Sequence, residues 1–143
     1  MKKDGLQQKA QDNLKEGEKF LDFLSEEIQE SSRIKVGLMT LFSPLLKEEQ
    51  KRYSDFQKKY AIWVRENFVL RRELVFTSDE EIEQRKQLLS LLEDEAKTVD
   101  SLFDSWEDSV EGHQTAQTNT LKVTIPLAAV IISLLSFIIV LLK

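Results

Sequence analysis

The chain has no cysteine, which removes disulfides, thiolate nucleophiles and cysteine-ligated metals together. It has one histidine, His113, so paired-imidazole metal sites and a His-based relay with a second histidine are excluded as well. Glycine (4) and proline (2) are scarce among 143 residues, too few for the turns of a sheet protein, while 31% of the residues are charged. No glycine-rich phosphate loop occurs. The N-terminal Met1-Lys2-Lys3-Asp4-Gly5 is followed by no apolar stretch, so no secretory signal is expected, and Lys2 stands where myristoylation needs glycine. An enzyme is not expected, and neither is a cofactor. The carboxylates Glu93, Asp94 and Glu95 are consecutive and point different ways around a helix, which makes a poor cation site.

What the chain does have is a twenty-residue stretch without charge, 123–142, bracketed by Lys122 and Lys143. At about 1.5 Å per residue it covers about 30 Å, the hydrocarbon thickness of a bilayer. It has no polar stripe, and the Thr124, Ser133 and Ser136 hydroxyls can return to helix carbonyls. Pro126 is expected in the first turn of this helix, where a missing N–H matters little. The expectation is a single-pass protein, tail-anchored by residues 122–143, with its N-terminal part in the cytoplasm. Ala129, Ser133 and Ser136 lie on one face, where small residues allow a second helix to approach.

The remainder reads as all-α. Apolar residues recur at spacings of three and four in three segments. The first holds Ala10, Leu14, Gly17, Leu21, Leu24 and Ile28, with Phe20 beside the seam. The second runs through Tyr53, Phe56, Tyr60, Trp63, Asn67, Leu70 and Leu74. The third runs from Ile82 through Arg85, Leu89, Leu92, Ala96, Val99, Phe103 and Trp106 to Val110. Ser43-Pro44 is a helix-start pair, and Ser78 with Glu81 has the spacing of a capping box. These signals predict helices over 5–42, 44–76 and 79–111, the first open to interruption near Ser31-Ser32 or Gly37. Residues 112–121 are polar and read as a linker, with His113 solvated in it. Short connections between rods of similar length predict an antiparallel three-helix bundle over residues 1–111, followed by the membrane helix. Asn67 and Arg85 occupy seam positions, as residues at the bundle's end or as setters of register.

Charge is uneven. Residues 44–76 carry eight Lys/Arg against five Asp/Glu, and residues 78–112 carry three against twelve. Folding back at Thr77 brings Arg71 and Arg72 towards Glu80 and Glu81, and Lys58 and Lys59 towards Glu93 and Asp94. The basic face is thereby satisfied within the hairpin, and no nucleic-acid partner is expected.

The stretch 34–46 has one charge and is apolar on all sides. On the bundle topology its turn faces the membrane. Two readings stand: Leu38, Leu41, Phe42, Leu45 and Leu46 close the core, or Met39, Leu41 and Phe42 stay exposed for lipid or a partner helix. The functional expectation is a non-enzymatic, membrane-anchored helical interaction or scaffolding module, oligomeric or part of a complex, with lipid and protein as its partners. A pore-forming or holin-like effector and an accessory subunit of a larger membrane complex are the alternatives.

Overall fold

The computed structural model describes residues 2–41, 43–76 and 82–141, and among these no strand occurs. Three helices account for nearly all of them: α1 (Lys2–Ser31), α2 (Pro44–Phe76) and α3 (Ile82–Leu141), with a short 3-10 turn at Leu38–Thr40. Phe42, Glu80, Glu81 and the Ser78 capping box lie outside the described residues.

The first helix is shorter than its periodicity suggests. It stops at Ser31, where the Ser32 hydroxyl donates to the Gln29 carbonyl and the last amides tighten onto Glu30 and Ser31. Serine hydroxyls compete with the helix for its carbonyls, and paired serines end it. The 3-10 turn is held by Thr40, whose Oγ1 accepts from the Gly37 amide and donates to the Lys35 carbonyl, both at 2.8 Å. At the start of α2, Ser43 Oγ accepts the Leu45 amide at 3.3 Å, the cap expected of Ser-Pro.

The face that α1 buries is rotated from the expected seam, of which Ala10, Gly17 and Leu24 are buried. Ala10, Asn13, Gly17, Phe20, Leu24, Glu27 and Ser31 are buried, while Leu14, Leu21 and Ile28 are only half-buried. The aromatic pack sets this rotation. Phe20 meets Phe56 and Trp63 edge-on at 5.0 and 5.5 Å, and Phe23 meets Phe56 and Trp106. The main core joins these rings to Leu24, Val99, Phe103 and Val110, so every helix contributes to it. A second cluster joins Ala10, Leu70, Leu74 and Leu92.

Cross-helix partners fix the register. Tyr53 donates to Glu107, Tyr60 to Asp100, and Asn67 Nδ2 to the Leu92 carbonyl, so positions rise along α2 as they fall along α3. Burial, then the acceptor carboxylates, raises both tyrosine pKa values. Asn67 lies in the interior at the junction of all three helices. Its Nδ2 also donates to Asn13 Oδ1 (3.0 Å), and Trp63 Nε1 donates to the Asn13 carbonyl (2.9 Å). Asn67 is therefore a register residue and not an end residue. Arg85 is half-buried in the first turns of α3.

This register separates Lys58 from Glu93 and Asp94, which folding at Thr77 would join, while the pairing of Arg71 and Arg72 with Glu80 and Glu81 lies outside the described residues. Lys58 precedes Tyr60 by two residues, so the point of α3 opposite it lies near Leu102, more than two turns from Glu93. Lys58 instead sits 3.9 Å from Asp55 on its own helix, and Glu93 pairs with Lys97 at 2.9 Å. Glu93 is held below the usual carboxylate range by Lys97, with a smaller pull from Arg71. Asp94 accepts from Ser90, Lys59 lines a groove on the α1 side, and Arg72 is exposed. The three consecutive carboxylates do diverge: Glu95 lies over Gly17 of α1, where an added Cβ would come within 2.5 Å of its carboxyl carbon.

Burial, then the nearby Glu18 carboxylate, pushes the Glu95 carboxyl up to about 7. A raised carboxyl favours folding only while it is protonated. Its contribution is complete below about pH 4.5 and is lost as pH rises through about 7. Glu95→Gln is expected to leave stability unchanged near pH 4 and to raise it near pH 8. The gain is on the order of 1–2 kcal/mol, because the side chain keeps some water contact. Urea midpoints across that pH range measure it, and parallel curves for both proteins would refute it.

The largest departure from the linear reading is α3 itself. Residues 112–121 are not a linker but part of one unbroken helix of 60 residues, about 90 Å long. Pro126 therefore falls deep inside a helix and not in its first turn. Having no N–H, it leaves the Lys122 carbonyl without its helical donor. The last part of α3 is long and apolar enough to span a membrane, and none of that window is buried against the rest of the chain.

Candidate functional site at the membrane junction

The polar residues once read as linker continue the α3 seam at the same spacing: Val110 is followed by His113, Gln117, Thr120 and Thr124, all half-buried. Two of them have partners outside α3, one in the segment joining α1 to α2 and one in α2. Gln117 Nε2 donates to the Leu41 carbonyl at 2.8 Å. About one turn above, His113 Nδ1 lies 2.8 Å from Glu49 Oε2.

Glu49 is 1% exposed, one of the most deeply buried groups in the chain. Its other oxygen, Oε1, has no hydrogen-bond partner, nor has the buried Ser31 hydroxyl. Beside them Arg52 Nε donates to both oxygens of Glu27, at 2.7 and 3.0 Å, and its Nη2 lies 3.6 Å from Glu30. Burial raises the Glu27 pKa, and the Arg52 hydrogen bond opposes that rise. A polar layer thus crosses all three helices just above the apolar span.

His113 is a structural partner at this layer and not a solvated linker residue. Removing it leaves the buried Glu49 carboxyl group without its hydrogen-bond partner. His113→Ala is expected to destabilise the fold by roughly 3 kcal/mol, most of which returns in Glu49→Leu/His113→Leu. Denaturant midpoints of the three proteins test this. A double variant as weak as the single one would refute it.

The apolar turn divides between its two readings. Leu41 and Leu46 are each 2% exposed and close the bottom of the core. Met39 is 97% exposed, and Leu38 and Leu45 are exposed beside it. In the span, Ser133 and Ser136 return their hydroxyls to the Ala129 and Ile132 carbonyls, both at 2.8 Å, so the small face with Ala129 presents no unsatisfied hydroxyl.

At the other end of the molecule α2 leaves large apolar side chains uncovered, among them Ile62, Phe68, Val75 and Phe76, the last 79% exposed. Ile62 and Val69 border an open groove of about 800 Å³ between α1 and α2, floored by Phe20, Trp63 and Leu70 and edged by Lys9, Glu16, Lys59 and Glu66. Neither this groove nor the polar layer was marked out by sequence reasoning. Glu49 had a signal, since it lies one seam step beyond Tyr53.

No family model, curated protein or solved structure matches this chain. Function has to be read from these surfaces alone.

Proposed function

We propose that the chain is a membrane-anchored, non-enzymatic interaction module. In this reading the three helices form an antiparallel bundle, residues 123–142 cross the bilayer, and the bundle stands in the cytoplasm as a rigid post. The carrying observation is the uncovered apolar end of α2. Water-facing Phe68, Val75 and Phe76 on one helix are unfavourable unless something covers them. The adjoining groove, apolar in its floor and charged at both rims, suits an amphipathic helix of a partner protein. Counting along α3 from Val123 to Leu92, which contacts Asn67, that surface stands roughly 45 Å above the membrane. The small face of the span supports self-association, which would present several such posts together.

The test is a photo-crosslinking amino acid at Ile62 or Phe76 in the full-length protein in its native membrane, followed by mild detergent extraction. Discrete heterologous adducts, lost on adding Val69→Asp, are expected. Absence of adducts at both positions would remove the reading. The pore-forming alternative predicts dye leakage from liposomes carrying the full-length protein, lost on Met39→Asp, whereas an interaction module causes none.

A further inference from the structure

The loop between α1 and α2 has an unusual composition for an exposed segment. Residues 32–47, the loop with the first turn of α2, hold three basic residues, Arg33, Lys35 and Lys47, and no acidic one, between the exposed Glu30 and Glu48. All three are exposed, as are Leu38, Met39 and Leu45. The loop is not loose: Thr40 ties it to Lys35 and Gly37, and Gln117 ties Leu41 to α3.

That last bond gives its height. Gln117 precedes Val123 by six residues, so Leu41 lies about 9 Å above the start of the apolar stretch. A headgroup layer is about 5–8 Å deep on each side of the hydrocarbon. Neighbouring helices are about 8–10 Å apart, and spans tilt by about 20° on average, which would lower the loop side by a further ~3 Å. The exposed residues of the loop therefore reach the headgroups. The acidic run of α3 does not oppose this. Its nearest member, Glu111, stands twelve residues from Val123, about 18 Å, beyond the screening length of about 8 Å in physiological salt.

We propose that the 32–47 loop is a second, peripheral membrane contact, with Leu38, Met39 and Leu45 in the lipid interface and Arg33, Lys35 and Lys47 facing anionic headgroups. It would hold the bundle tilted towards one side and fix which face of α2 points outward. The inference rests on the reading that residues 123–142 span the bilayer, and the experiment separates the two.

Because the chain has no cysteine, one introduced thiol reports one place. Met39→Cys, Ser54→Cys and Leu134→Cys, each carrying an environment-sensitive fluorophore, are placed in the full-length protein in vesicles containing nitroxide-labelled lipid. The Met39 probe is expected to shift to the blue and lose intensity to shallow nitroxide, more in phosphatidylglycerol-containing vesicles than in phosphatidylcholine alone. The Ser54 probe should stay unquenched, and the Leu134 probe should be quenched by deep nitroxide. Substituting Arg33→Gln, Lys35→Gln and Lys47→Gln together should abolish the phosphatidylglycerol increment, and its persistence would refute the headgroup contact. Quenching at Leu134 without quenching at Met39 overturns the loop contact and leaves the span intact. Quenching at neither overturns both. A blue shift at Met39 without quenching means that protein covers the turn, which also overturns the inference.

Discussion

Trp106→Ala is expected to destabilise the helical domain by about 3–5 kcal/mol, while Trp106→Phe stays below about 2 kcal/mol. Trp106 is fully buried and joins rings from the other two helices. It meets Phe23 at 5.7 Å, Tyr53 at 5.4 Å and Phe56 at 5.9 Å, each edge-to-face. Alanine would leave a cavity that three helices cannot close without shifting the Tyr53–Glu107 bond. Phenylalanine keeps most of the ring contact. It also deletes an indole N–H that is buried without a hydrogen-bond acceptor, so the usual penalty for losing such a donor does not arise. Urea titration of the full-length protein in mild detergent, followed by far-ultraviolet circular dichroism, reads both midpoints. The apolar span keeps its helix in detergent, so the transition reports the domain. Equal midpoints for Trp106→Ala and the parent would mean that the three helices do not share this core.

Helical character was legible because period and length agree. In α2 and α3 the seam residues seen in the sequence are those the structure buries from Phe56 to Leu74 and from Leu92 to Val110, except that Tyr60 and Ala96 are half-buried. In α1 the seam members Ala10, Gly17 and Leu24 are buried as expected, but beside them two stripes one residue apart were available, Leu14-Leu21-Ile28 and Asn13-Phe20-Glu27. Hydrophobicity favours the first, yet the second is buried. The decision is tertiary: Phe20 has Phe56 and Trp63 to pack on, and Asn13 and Glu27 have Asn67 and Arg52 as partners that no local reading supplies. The same limit hid the junction. His113, Gln117 and Thr120 keep the spacing of the seam but lack its hydrophobicity, so a reading weighted by apolar residues ends the helix at Glu111. Their partners Glu49 and Leu41 lie more than sixty residues away. The charge pairs failed for a related reason. A surface pair gives at most about 1 kcal/mol, so ring packing and the buried asparagines choose the register, and the charges find whatever lies nearby.

Anchorage can be tested by asking how much charge the span tolerates. Residues 123–142 contain fourteen Leu, Ile, Val and Phe residues, each favouring insertion by about 0.3–0.6 kcal/mol. Together they favour the membrane by roughly 4–8 kcal/mol. One arginine at the centre opposes this by about 3 kcal/mol, and two by about 6. Ile132→Arg alone is therefore expected to remain in the membrane pellet through alkaline carbonate extraction. Adding Leu135→Arg, on the next turn, brings the balance close to zero and should move most of the protein into the supernatant. The domain above should keep its fold in that soluble form, because Trp106, Phe56 and Asn67 make no contact with the span. If the double variant stayed in the pellet, something other than the free energy of this stretch in lipid would be holding the protein there. If the parent itself were extracted by carbonate, the exposed apolar last third of α3 would have to be covered by protein instead.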